Sequence, residues 1–416
     1  MIQRGETFTL GKNPHNHPGE HGISGKVEFR ARLLSLSEEQ KSISAKELVE
    51  NQLLEINDAD AEYLPNLENS TRMVKRQRQS NRPKEPKTLE CEISLDVVKL
   101  PGDFEVDDIK FEQDGKVAAR HIIYATPMQI NLLSQATTWY MDGTFKVVRD
   151  PYVQLFGIHA FIRSGHNVKQ VPLVNVLMSR RQAIDYIAVF NALINRMEGE
   201  LKLEEVVLDF ELATWQSLKD VFPDIDIYGC HFHYSNAIYK KVQEIGLSNA
   251  YRTDERVKQL IKCLFALPLL PLREMMSQFS NIQTEFEANG YKMQRLYNYV
   301  AETWFGSSVW EPRNICVYQR LVRTNNDVEG YHRRLNHRLG KKPPIYELIQ
   351  FLHKEAKLID VTCKSLTSKN VTNVRRKQTR AVQAFLTVLW KKFEEGDIDG
   401  GGLLLESLKF TPSFST

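Results

Sequence analysis

Between Ala136 and Gly246 the spacing of apolar residues moves from a period of two to a helical period and back. Three β-rich runs come first, TTWYMDGTFKVV, YVQLFGIHAFI and QVPLVNVLMS, with RDP and RSGHN between them as turn signals. Runs joined by turns this short predict an antiparallel meander. After them QAIDYIAVFNALINRM is helical by period, LEEVVLDF reads as a strand, ELATWQSLKDVF as a helix, IDIYGCHF as a strand and YSNAIYKKVQEIG as a helix. Strands alternating with helices extend a sheet by parallel pairing.

Strand-strand-strand-helix-strand-helix-strand-helix is the order of a ribonuclease H-like core, so the expected class is α/β: three antiparallel strands, then parallel βα units, over residues 91–250. From 251 to 318 the pattern is helical almost throughout, broken by LPLLP at Leu267–Pro271, and reads as an all-helical insertion in that core. TNNDVEGYHRRLNHRLG then predicts a helix ending at Gly340 before two prolines, so residues 319–365 return to the core. Upstream, Val27, Phe29, Leu33, Leu34, Leu48 and Leu53 suit short helices, giving a small helical unit over 26–70. Residues 1–25 are rich in Gly, Pro and His and look like a fragment of something else. A basic linker is expected over 71–90, and a basic helix with a Gly-rich disordered tail over 366–416. No internal repeat is evident.

With 416 residues the chain exceeds what one core usually serves, and 42% hydrophobic with 26% charged residues is ordinary for a globular protein. The start has no apolar signal region and no stretch reaches the length of a membrane span, so neither secretion nor membrane spanning is expected. Five scattered cysteines argue against a disulfide framework and for a reducing compartment. A balance of 55 Lys and Arg against 52 Asp and Glu leaves a net charge of only +3, so any nucleic-acid contact must come from local patches. Three exist: Arg72 to Lys87, His332 to Lys342, and Arg375 to Arg380. The first is the candidate for nuclear import and hence for a nuclear location. The second, with His332, Arg333, Arg334 and Arg338, is the candidate for DNA phosphate contact.

Asp142 falls in the middle of the first strand among Trp139, Tyr140, Met141 and Phe145, where a carboxylate is costly to bury without a partner. Asp209 closes the apolar run Val206-Val207-Leu208 at the carboxyl end of a central strand, where open α/β sheets place their ligands. The first and fourth strands of such a sheet are neighbours, so the two carboxylates would face each other and suit one or two hard divalent cations. Against this, a lone strand Asp is more often a cap for the next helix, and Asp209 does precede one. Glu329 is the third candidate, although Asn326-x-x-Glu329 also matches a capping box, and by spacing alone the cap wins. Asp185 and Asp327 are rival carboxylates. Cys230 and His233 in CHFH resemble half a zinc site without its other half, so they are expected to pack at the active end of the sheet, with His233 hydrogen-bonded to a carboxylate. His15 and His17 could end a zinc finger, but no cysteine precedes them, and zinc is not expected in this chain.

WYMDGTFKVV, VVLDFELATW, CHFH and RTNNDVEGYHRRLN, in that order and with a helical block before the last, resemble the transposases of Mutator-like elements (MULE) across roughly Ser134 to Phe351, with the MULE domain itself at about 134–235. In that family three acidic residues form a DDE triad, which the resemblance assigns to Asp142, Asp209 and Glu329; a C-x-x-H element falls on Cys230 and His233. The resemblance implies two Mg²⁺ or Mn²⁺ ions and double-stranded DNA, both element ends and target, as substrate. It also implies metal-dependent strand cleavage and strand transfer, with pairing of two ends by at least a homodimer. GKNPHNHPG is similar to the end of a FLYWCH-type finger, and its missing first half puts end recognition in doubt. The competing expectation is a transposase-derived DNA-binding or transcriptional regulator without turnover.

Overall fold

The computed structural model describes residues 2–4, 7–9, 23–40, 43–55, 65–80, 84–164, 167–320, 322–324, 326–367 and 377–414. They divide into two units, Met1–Lys84 and Glu85–Thr416.

In the first unit, β1 (Ile2–Arg4) and β2 (Thr7–Thr9) pair antiparallel, and three helices follow, Ile23–Glu39, Ala45–Leu54 and Leu67–Ser80. Leu33, Leu48, Val49 and Val74 are wholly buried between the helices, with Phe29 and Ala45 beside them. The basic stretch from Thr71, expected as a linker, is instead helix through Ser80. Val74 anchors it in the core, and Arg78 donates to the carbonyl oxygens of Gln40 and Ile43 at 2.9 Å each, covering acceptors that the neighbouring helix end leaves open. His15 and His17, and with them the expected finger remnant, lie outside the described residues.

The second unit is built on a seven-stranded sheet: β3 (Glu105–Gln113), β4 (Lys116–Tyr124), β5 (Thr138–Thr144), β6 (Gln154–Ser164), β7 (Asn167–Met178), β8 (Glu205–Leu208) and β9 (Asp226–Gly229), in the order β3-β4-β7-β6-β5-β8-β9. β5, β6 and β7 form an antiparallel meander; β8 joins β5 in parallel and β9 joins β8 in parallel. The β3–β4 hairpin widens the sheet beyond the strands read from the sequence. One face of the sheet, with Trp139, Met141, Phe156, Ile158, Val206 and Leu208, packs on helices Ala183–Arg196 and Leu212–Val221 through Tyr186, Phe190, Trp215 and Leu218. The other, with Ile122, Tyr124, Leu155 and Leu177, packs on helices Asn326–Leu339 and Ile345–Thr367 through Tyr331, Leu335, Ile349 and Leu352.

Helices from Ser248 to Ile315 build a separate core around Ile261, Leu264, Phe265, Met275, Leu296 and Val300. Trp390, Leu403 and Leu404, from helices Lys377–Glu394 and Gly400–Ser407, complete that core. Where the sequence reading expects a disordered tail, Asp399 caps a short helix by accepting from the Gly402 amide at 2.7 Å, and the Trp390 indole donates to the Leu269 carbonyl at 2.9 Å. The leucines supply enough buried surface to hold three successive glycines helical despite their entropic cost. Arg375 and Arg376 fall outside the described residues. Among the described residues no helix is long and apolar enough to cross a membrane.

Candidate active site

Alternation along a strand puts Tyr140 and Asp142 on one face of β5, and Val207 and Asp209 on the same face at the end of β8. Tyr140 stands opposite Val207 in the parallel register, with Asp142 two residues further along β5 and Asp209 two residues further along its chain, just past the end of β8. Val328, wholly buried, packs on Tyr140 and Val207. That contact seats the start of helix Asn326–Leu339, which carries Glu329, against β5 and β8. Asp209 and Glu329, from distant parts of the sequence, both lie close enough to Asp142 to feel its charge.

Their charges act on one another. Burial, and then the Asp142 charge, push the Asp209 carboxyl up to about 7, with Glu211 adding to the effect. Burial also raises Glu329; His233 works against this and Asp142 with it. His233 Nε2 is 3.9 Å from Glu329 Oε1, an ionic separation and not the hydrogen bond expected from the sequence.

The supports of Asp209 are aromatic. The Trp215 indole donates to the Asp209 carbonyl oxygen at 2.8 Å. Phe210 stacks on Trp215 at 5.8 Å between centroids and meets Trp304 of the helical block edge-on at 4.5 Å. The Cys230 amide donates to the Leu208 carbonyl at 2.8 Å and the His231 amide to the Arg323 carbonyl at 2.9 Å, which ties β8, β9 and the approach to the Glu329 helix together. Cys230 itself is buried at the start of helix His231–Glu244. His231 is buried too, and its ring meets the Phe265 carbonyl at 2.7 Å.

One of the expected phosphate contacts is corrected. His332 is 8% exposed and turns inward, its Nδ1 3.4 Å from Asp142 Oδ2. Val328, Tyr331, His332 and Leu335 are all buried and make an i, i+3, i+4, i+7 stripe facing the sheet, so His332 belongs with the core side of its helix. Arg334 forms an ion pair with Glu355 and lies over the Tyr331 ring at 5.4 Å. Arg333, Arg334 and Arg338 are all exposed. Of the rival carboxylates, Asp185 is buried in a structural network, 3.0 Å from His121 Nε2 and 2.8 Å from Arg180 Nη2, which holds it well below the usual carboxylate range. Asp327 is exposed.

Sequence reasoning missed Phe210, Trp215, Val328 and the inward turn of His332. The helical stripe just described was the available signal for the last two.

Among the described residues no three His, Cys, Asp or Glu side chains stand close enough to form a ready metal cage. The chemistry of the donors nevertheless fits a hard divalent cation, since mutually repelling carboxylate oxygens are the ligands such ions take. The fold and the site together define an α/β protein with acidic side chains at the carboxyl ends of two adjacent central strands. Residues 138–237 match the family model of the MULE transposase domain. The matched stretch holds Asp142, Asp209, Cys230 and His233, while Glu329 lies beyond it. No curated protein matches the chain.

Proposed function

We propose that the second unit is a ribonuclease H-like DDE transposase core that cleaves DNA at an element end and transfers the strand to target DNA. The observation that supports this reading is the parallel pairing of β5 with β8, the strands that carry or lead into Asp142 and Asp209, with the Glu329 helix packed on both through Val328. Asp142, Asp209 and Glu329 would hold two Mg²⁺ or Mn²⁺ ions, which when bound activate the attacking oxygen and stabilise the leaving one in an in-line displacement. The chain's own work is positioning. Trp215 and Phe210 would fix the Asp209 backbone, Val328 would seat the helix that carries Glu329, and His332 and His233 stand beside Asp142 and Glu329. Exposed Arg333 and Arg338 would meet phosphates of double-stranded DNA, and pairing two ends calls for at least a homodimer.

In Mn²⁺ the full chain should nick a supercoiled plasmid, and Asp142→Asn should lower that rate at least a hundredfold with an unchanged circular dichroism spectrum. Equal rates in the two proteins would sink the proposal.

A second reading is a transposase-derived DNA-binding regulator. It is favoured by the separation of the carboxyl groups, each of which has a histidine or an aromatic anchor and no shared cage. Tight DNA binding with no metal-dependent cutting would select it.

A further inference from the structure

Phe145 directly follows β5 and stands three residues beyond Asp142, with half its surface (51%) open to solvent. Thr144 before it and Val147 two positions after it are buried, so the exposed pair Phe145-Lys146 is held between anchored residues. The Arg181 guanidinium lies 4.8 Å from the centre of the Phe145 ring. Arg181 is itself oriented, since its Nη1 is 3.3 Å from Glu211 Oε1. Glu211 in turn accepts hydrogen bonds from Tyr186 at 2.9 Å and Thr214 at 3.2 Å, and the Tyr186 hydroxyl accepts from Gln154 at 3.1 Å. Tyr186, Thr214 and Gln154 are all buried. A chain of fixed contacts therefore runs from the core to an exposed aromatic ring. It passes through Glu211, two residues after Asp209, and ends at a ring three residues after Asp142. Ile184 and Leu212, exposed at 53% and 46%, lie in the first turns of the helices that follow β7 and β8.

An exposed ring backed by a guanidinium is what a nucleobase stacks on: its flat face meets the phenyl group, and the cation adds to the stack or reaches the adjoining phosphate. Bases inside a duplex have their faces covered by their neighbours, so the ligand suited to this ring is an unpaired nucleotide. We propose that Phe145 and Arg181 form a stacking subsite for an unpaired base of the DNA strand whose phosphate meets the carboxylates. The proposal rests on the transposase reading for the identity of the polymer. It adds that the DNA is engaged at a frayed or overhanging end beside the scissile bond, with Phe145 as the platform and Arg181 as its fixed backing.

The test uses the full chain in Ca²⁺ and two probes, a blunt duplex and the same duplex with a three-nucleotide overhang carrying 2-aminopurine at its first unpaired position. The wild type should bind the overhang on the order of tenfold more tightly than the blunt DNA, with quenching of the 2-aminopurine fluorescence. Phe145→Ala and Phe145→Leu should lose both the preference and the quenching, Phe145→Trp should keep them, and all three should bind blunt duplex as the wild type does. Because Phe145 is exposed, the variants should melt within a few degrees of wild type, which thermal unfolding verifies. Equal affinity of the wild type for the two probes, or a preference that survives Phe145→Leu, overturns the subsite while leaving the DNA-binding reading in place. Failure of the wild type to bind either probe overturns both together.

Discussion

Asp209 is held at the end of β8 where its own charge is opposed by burial and by Asp142, and its carboxyl is pushed up to about 7 from a usual value near 3.8. Because the folded state binds this proton more tightly than the unfolded chain, the group's contribution to stability is complete below the unfolded value and is lost as pH rises through about 7. Without metal, Asp209→Asn should therefore stabilise the protein at pH 8 by up to about 4 kcal/mol and have little effect at pH 4, as read by thermal unfolding. Mg²⁺ should raise the wild-type melting temperature at pH 8 and raise that of Asp209→Asn less. Burial lowers His159 and takes His231 down to about 4, which gives the opposite sign: their contribution is present above the usual histidine value and fades as pH falls through the folded one. Metal-free stability should accordingly decline on both the acid and the alkaline side, and a melting series from pH 4 to 9 checks it. At this scale the neighbouring of β5, which carries Asp142, and β8, which leads into Asp209, was legible, because a meander followed by a parallel strand sets its first and fourth strands side by side. His332 was misplaced because charge drew attention to the outer face of its helix, while the four buried positions that include it carry a Tyr and a His as well as two aliphatics.

β8 and β9 end in a contact that no local pattern announces. A Cβ on Gly229 would stand 2.0 Å from the Phe210 ring, so only glycine allows Phe210 to lie against β9 and reach Trp304. Gly229→Ala should displace that ring, destabilise the second unit by roughly 1–3 kcal/mol, and reduce metal-dependent cutting more than DNA binding, since the residue before Phe210 is Asp209. A crystal or NMR ring-current signature of an unmoved Phe210 in the variant would contradict this. The meander and the parallel strands were readable from clean alternation and short turns. The β3–β4 hairpin was not, although Asp114 and Gly115 both have positive φ, the backbone of a tight hairpin turn favoured by Asp-Gly. β3 is an edge strand with no buried position, so its polar sequence hid the period. Charge density likewise masked the helix Leu67–Ser80, and three glycines masked Gly400–Ser407.

Across the whole molecule the division at Lys84 and Glu85 is the main boundary, and the second unit contains its own cores on both faces of the sheet and in the helical block. A chain beginning at Glu85 should fold with the melting temperature of the second unit in the full protein, which calorimetry of the two chains compares. With 55 basic against 52 acidic residues, DNA affinity should depend on few charges. Arg333→Ala and Arg338→Ala should each reduce the slope of log affinity against log salt by about one, with no change in sequence preference. The helical block was visible in the sequence as unbroken helical period, but its closure by Trp390, Leu403 and Leu404 from the far end of the chain was not, because long-range packing leaves no local signature.

The central claim is that Asp142, Asp209 and Glu329 form one catalytic site, and strand transfer reads it most directly. The full chain, Mn²⁺, a pre-cleaved oligonucleotide with a free 3′-hydroxyl and a supercoiled plasmid should give joined products. Asp142→Asn, Asp209→Asn and Glu329→Gln should each abolish joining while binding the oligonucleotide as the wild type does. Joining that persists in any one of the three variants at the wild-type rate, or none by the wild type with DNA and Mn²⁺ both bound, would contradict the account.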